Sequence, residues 1–155
     1  MKILFVCSSN VCRSPYCEFM FRRMVSEDEE LRGKIEIDSA AVLNHSLSLH
    51  PKSRQALINE GFSAEELDAF KSKHLKECRE VFDAADMIIG MTRWHKWLLP
   101  KADKKKYKTL SEAATGKYRA IPDPFLAPNQ EVYDRAMGVI KGYLIKFLKR
   151  LKEEK

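Results

Sequence analysis

Apolar residues run unbroken from Ile3 to Val6, the pattern of a short strand buried on both faces. The period then changes. Tyr16, Cys17, Met20, Phe21 and Met24 recur at helical spacing, Arg22, Arg23 and Glu27 to Glu30 lie on or beyond the other face, and Gly33 ends the segment. Ile35 to Ser39 alternates as a second strand. Ser53 to Glu60 predicts a helix stopped by Gly61, and Ser63-Ala64-Glu65-Glu66 a capping box opening a helical turn. Phe70 to Arg79 has no clear period. Asp86 to Met91 is a third buried strand, Trp94 to Leu99 a short helix closed by Pro100, Tyr107 to Leu110 a fourth strand, and Ala120 to Pro128 a proline-punctuated loop. The last segment, Glu131 to Leu151, places Val132, Ala136, Ile140, Tyr143, Leu144, Phe147 and Leu151 on one face of a long amphipathic helix, with Gly138 and Gly142 expected to let it approach the sheet. Strands alternating with helices predict an α/β fold, a parallel sheet flanked by helices with right-handed crossovers.

Composition narrows this picture to one domain. A chain of 155 residues, 45% hydrophobic and 32% charged, is the size and balance of one soluble globular unit, expected over 1–155. The start carries one basic residue and a short apolar run, which predicts a strand and not a signal peptide. No apolar stretch approaches the ~20 residues of a membrane span, so no membrane partner and a cytoplasmic location are expected. Three of the four cysteines, Cys7, Cys12 and Cys17, crowd one segment and Cys78 stands alone, which fits free thiols in a reducing compartment. The net charge of +6 suits anionic partners. Lys101 to Lys108 is the densest basic run; it reads as a solvated connection, with a patch steering phosphorylated substrates as the alternative. No nucleic-acid signature accompanies the charge, so no nucleic acid is expected as a partner. A monomer is expected.

The chemistry gathers between the first strand and the first helix, in Cys7-Ser8-Ser9-Asn10-Val11-Cys12-Arg13-Ser14-Pro15. The five residues between Cys7 and Arg13 can curl into a cup of inward N–H groups, and the helix N-terminus adds partial positive charge. That field favours an anion and, at Cys7, a thiolate. Arg13 offers a planar fork for two oxyanion oxygens. A thiolate attacking a phosphate monoester also needs an acid for the leaving oxygen. Asp123 in Pro122-Asp123-Pro124-Phe125, on a loop stiffened by proline, is the best candidate. Ser14 can hydrogen-bond the sulfur.

These motifs, together with Asp38-Ser39-Ala40 after the second strand, resemble those of the low-molecular-weight protein tyrosine phosphatases, in the same order and over the full chain. The resemblance implies a flavodoxin-like three-layer sandwich with a four-stranded parallel sheet. It implies Cys7 as nucleophile, Arg13 as ligand of the phosphoryl oxygens and Asp123 as general acid and then base. Ser8, Ser9, Asn10, Val11, Cys12 and Ser14 become substrate-binding residues, with Asn10, Ser14 and Ser39 supporting the loop. It implies a cysteinyl-phosphate intermediate, no cofactor and no metal. The partners implied are a tyrosine-phosphorylated protein or a small aryl phosphate, with phosphate or another oxyanion in the loop. By the same analogy Cys12 forms a reversible disulfide with Cys7 on oxidation, against a simple packing role. The chain departs from the family pattern at Ser9, where glycine is usual, at Phe125, where tyrosine is common, and at Leu126. His45 falls where the family places a large aromatic, so His45 and Phe125 are the expected pocket rim. Without glycine, Asn10 is the residue most able to take a left-handed backbone beside Ser9.

Other readings compete. Arsenate reduction on the same fold needs further cysteines downstream, and only Cys78 is there. A non-catalytic phosphate-binding module would bind without turnover. Cys17 points into the apolar face of the first helix and reads as core. The cysteine spacing matches no zinc pattern, and Arg13 opposes a cation. His74 and His95 have no visible partners and read as surface or core residues, and Trp94 and Trp97, three apart on a short helix, read as packing residues.

Overall fold

A computed structural model describes residues 1–43 and 48–154. Four strands, β1 Lys2–Cys7, β2 Glu36–Ala41, β3 Met87–Gly90 and β4 Tyr107–Thr109, form one sheet in the order β2-β1-β3-β4, and every pairing is parallel. β1 alternates strictly between two cores. Ile3, Phe5 and Cys7 face one, with residues of α1 Arg13–Ser26 and α7 Gln130–Glu153; Leu4 and Val6 face the other, with Leu75, Leu99 and Phe82 of α4 Arg79–Ala84. Helices on both faces make three layers, the doubly wound α/β architecture. A ladder of rings holds the first core together: Phe5 meets Phe21 edge-on at 5.7 Å and Phe21 stacks on Phe147 at 5.1 Å.

The other helices are α2 Pro51–Asn59, α3 Ala64–Asp68, α5 Lys101–Lys104 and α6 Leu110–Thr115. The capping box read at Ser63 and Glu66 opens α3, with both reciprocal hydrogen bonds made. α6 is absent from the sequence reading; a second capping box, Thr109 with Glu112, starts it and Gly116 at φ 79° ends it.

Two expectations for α7 are corrected. Its buried stripe is Tyr133, Met137, Ile140, Leu144, Phe147 and Leu151, so the N-terminal half turns Tyr133 and Met137 inward in place of Val132 and Ala136. Nothing lies within 4 Å of a Cβ built on Gly138 or Gly142, so neither mediates close packing. The glycine that does is Gly90 of β3, where a Cβ would land on the Tyr107 hydroxyl, itself donating to the Thr92 carbonyl. Asp86 is structural, as its strand-start position predicts: it accepts from the Lys2 N–H at 2.7 Å.

In a doubly wound sheet the crevice for ligands opens beyond the carboxyl ends of the strands where the order reverses. Here that point lies between β1 and β3. Cys7 ends β1, and the chain after Gly90 runs into the 3₁₀ turn Arg93–Leu98 beside it.

Candidate active site

The segment after Cys7 cannot continue the sheet, because its carbonyls are drawn outward. The Cys7, Ser8 and Val11 carbonyls accept from the N–H groups of Val42, Leu43 and His50, and the Cys12 carbonyl from Ser53 Oγ at 3.3 Å. No amide from Ser8 to Cys12 donates to another loop or element among the described residues. α1 opens without a side-chain cap and without an acid in its first turn. A ring of free N–H donors and an uncapped N-terminus, aligned on one cleft, form an anion site. Cys7, Ser9, Val11, Cys12, Arg13, Asp123 and Phe125 line that cleft.

Asn10 makes the bend. Its φ of 55° is the only positive value at a non-glycine residue among the described residues, as Ser9's lack of glycine freedom requires. Its buried side chain then reaches three ways: Nδ2 donates to Ser14 Oγ and to Ser39 Oγ, both at 2.9 Å, and Oδ1 accepts from the Lys73 N–H at 3.0 Å. An amide nitrogen can only donate, so both hydroxyls accept from it and keep their protons for other partners. Ser39 gives its proton to Glu18 Oε1 at 2.5 Å. Ser14 is thereby free to donate to Cys7 Sγ, 3.0 Å away. The chain from Glu18 through Ser39, Asn10 and Ser14 therefore sets a polarity that favours a negatively charged sulfur. Burial raises Glu18 above the usual carboxylate range, while the Ser39 hydroxyl and the Arg22 guanidinium, 2.8 Å from it, pull the other way.

Arg13 is buried and anchored. Its Nη1 donates to the Ile121 carbonyl at 2.7 Å, and the Ile121 N–H donates to the Met91 carbonyl at 3.1 Å, which ties the Asp123 loop to the end of β3. Nη2 stands 3.6 Å from Asp123 Oδ2. Asp123 is 47% exposed in its side chain, and its Oδ1 accepts from the Phe125 N–H at 3.0 Å, capping the 3₁₀ turn Pro124–Leu126. One oxygen fixes the loop and the other faces the cleft.

His95 is the site neighbour that sequence reasoning missed. It is 1% exposed, the core alternative of its sequence reading, but it has partners: Nδ1 accepts from the Met91 N–H at 3.4 Å, so Nε2 carries the proton toward Ser8 Oγ at 3.1 Å. Burial, reinforced by the nearby Arg13 charge, pushes its pKa down to about 3, so it is neutral. Only its place after the third strand could have flagged it.

The other expected residues divide. Ser39 sits at the site, and Phe125, 51% exposed, stands at the rim. His45 lies outside the described residues; the ring that meets Phe125 is His50, edge-on at 5.1 Å and stacked on buried Tyr133 at 5.9 Å. Cys12 packs beneath the loop near the Tyr133 hydroxyl, and burial pushes its thiol up to about 12. Cys17 is core, its thiol raised well above the ordinary range by burial. Cys78 lies in the core on the other side of the sheet, its Sγ donating to the His74 carbonyl at 3.0 Å, away from the thiols it would have to relay to.

A sulfur at the floor of an anion cup, with a guanidinium beside it and a carboxyl across it, is the equipment of a cysteine-dependent phosphoric monoester hydrolase. Comparison with known proteins agrees. The model of the family described as Low molecular weight phosphotyrosine protein phosphatase matches residues 2–155, and the chain belongs to that family. Among relatives, a protein-arginine-phosphatase of Geobacillus stearothermophilus is 32% identical over 160 residues, covering 99% of this chain and 97% of that one. A low molecular weight phosphotyrosine protein phosphatase of Gallus gallus is 27% identical over 155 residues, covering 93% and 94%. Among solved structures, the YwlE arginine phosphatase of Geobacillus stearothermophilus superposes with a TM-score of 0.84 at 30% identity, covering 99% and 94%. The family fold is the four-stranded parallel sheet found here, and its chemistry is hydrolysis of phosphoric monoesters through a cysteine nucleophile.

Proposed function

We propose that the chain, acting as one domain and as a monomer in the cytoplasm, hydrolyses aryl phosphate monoesters, with phosphotyrosine on proteins as its substrate class. The observation that carries the reading is the Arg13–Asp123 pair over Cys7, walled by the apolar side chains of Val11 and Phe125. The loop amides and Arg13 hold the three non-bridging oxygens. Cys7 sulfur attacks phosphorus in line, the P–O bond to the aryl group breaks, and protonated Asp123 gives its proton to the leaving oxygen. Asp123, now a carboxylate, takes a proton from water as that water attacks the cysteinyl phosphate. The P–S bond breaks, and the sulfur leaves as a thiolate into the hydrogen bond from Ser14.

Val11 and Phe125 present apolar surface to a flat leaving group, and the carboxylate of the cleft, Asp123, already faces Arg13. A second reading, phosphoarginine, is favoured by relatives that carry that activity in their names and span nearly the whole chain. Steady-state assays on one peptide bearing phosphotyrosine or phosphoarginine at the same position separate the two. The proposal expects the higher kcat/KM for phosphotyrosine, and the reverse order overturns it. Arsenate reduction is disfavoured by the placement of Cys78. Cys12 would capture a Cys7 sulfenic acid as a disulfide, releasing water, though its raised thiol makes that capture slow at neutral pH.

A further inference from the structure

The chain's two tryptophans, Trp94 and Trp97, do not pack as their spacing predicts. Trp97 is 74% exposed and Trp94 50%. Both ride on the 3₁₀ turn Arg93–Leu98, whose inward residue is His95, the partner of Ser8 in the phosphate loop. The Trp94 ring lies 5.5 Å from the His95 ring. The turn is thus pinned to the flank of the active site, at the same edge of the sheet.

Trp97 helps to line a groove of about 290 Å³ together with Arg93, Lys96, Tyr107, Lys108 and Glu112. The Lys104 ammonium stands over the Trp97 ring at 5.6 Å. Glu112, the one carboxylate of the groove, is occupied by Arg93 at 3.4 Å and by the cap of α6. Lys96 and Lys108 have no carboxylate partner among the described residues. An exposed tryptophan ringed by uncompensated cations has the make-up of an interaction hot spot, with apolar area for affinity and charge for selection.

We propose that this groove docks an acidic segment of the phosphorylated protein substrate, beside the phosphoresidue held over Cys7. The inference rests on the phosphatase reading above. Glu or Asp side chains meet Lys96 and Lys108, and the peptide's apolar atoms cover Trp97. A groove of this volume takes a side chain or two and is short for a strand of stacked bases.

The test uses peptides with an acidic or a Ser/Gln-rich flank, each carrying phosphotyrosine or phosphoarginine, with p-nitrophenyl phosphate as the flankless control. The acidic flank raises kcat/KM about tenfold at low salt and less at high salt. The Lys96→Glu, Lys108→Glu double variant loses that advantage while p-nitrophenyl phosphate turnover is unchanged. Because the only tryptophans lie on this surface, their emission reports docking independently of turnover, and the acidic peptide changes it whereas the neutral one does not. Loss of p-nitrophenyl phosphate hydrolysis would count against the phosphatase reading, and the emission titration would still decide this one. Equal rates for both flanks, an advantage that survives the double variant, or a response to a single-stranded oligonucleotide in place of the acidic peptide overturns it.

Discussion

Replacing Asn10 with aspartate keeps the size of the side chain and its tolerance of φ 55°, and it keeps the acceptor that takes the Lys73 N–H. It changes one atom that matters. Nδ2, which donates to Ser14 and Ser39 at 2.9 Å, becomes an acceptor oxygen. Both hydroxyls then turn their protons toward residue 10, so Ser39 releases Glu18 and Ser14 releases the Cys7 sulfur. Loss of a hydrogen bond to a charged sulfur costs about 1.5–3 kcal/mol. At about 1.4 kcal/mol per factor of ten, this slows alkylation of Cys7 at a fixed pH by about ten- to a hundredfold. The new carboxylate repels the thiolate and acts in the same direction. The assay is the rate of iodoacetate modification of Cys7 at one fixed pH, followed by mass spectrometry, with thermal melting to confirm a native fold. Asn10→Gly, which keeps the bend and removes the donor without adding charge, slows the modification less. An unchanged alkylation rate in a folded Asn10→Asp protein would refute the donation from Ser14 to Cys7.

Two predictions concern stability. His95 titrates near 6.5 in the unfolded chain and near 3 in the folded one, so between those values the unfolded state binds the extra proton. Its contribution is present above about pH 6.5 and is lost as pH falls, by up to about 1.4 kcal/mol per unit. Urea titrations of parent and His95→Asn at pH 7 and 5 should differ by more at pH 7, and a pH-independent difference would contradict the buried neutral ring. Gly90→Ala drives a methyl into Tyr107 between β3 and the edge strand β4 and should cost about 1–3 kcal/mol in the same assay, while Gly138→Ala, in open space on α7, should be neutral or stabilising.

The anion loop was legible in the sequence because its parts are local. Cys7 to Ser14 is one contiguous turn, and the absence of glycine pointed to Asn10 as the left-handed residue, as found. Asp123 and Ser39 were found through the company they keep on separate segments. The residues that aim those groups were not legible. Glu18, His95 and the Ile121 carbonyl act across contacts made only when α1, β3 and the Asp123 loop pack together, and nothing in their local pattern marks them. The buried stripe of α7 was misread at one end because two overlapping apolar stripes exist there, and packing against His50 and Cys12 selects the one containing Tyr133. The spacing of Trp94 and Trp97 on a short helix reads as packing, and their exposure is the departure that led to the docking groove.

The central claim is that Cys7 carries the phosphoryl group during turnover. Rapid-quench mass spectrometry of the peptide containing Cys7, taken from Asp123→Asn protein turning over p-nitrophenyl phosphate, tests it most directly. Without its base the enzyme should accumulate phosphate on Cys7, with turnover slowed roughly 10²-fold or more. Cys7→Ser protein should show no comparable turnover. Phosphate on another residue, or a Cys7→Ser protein that matches the parent rate, would contradict the account.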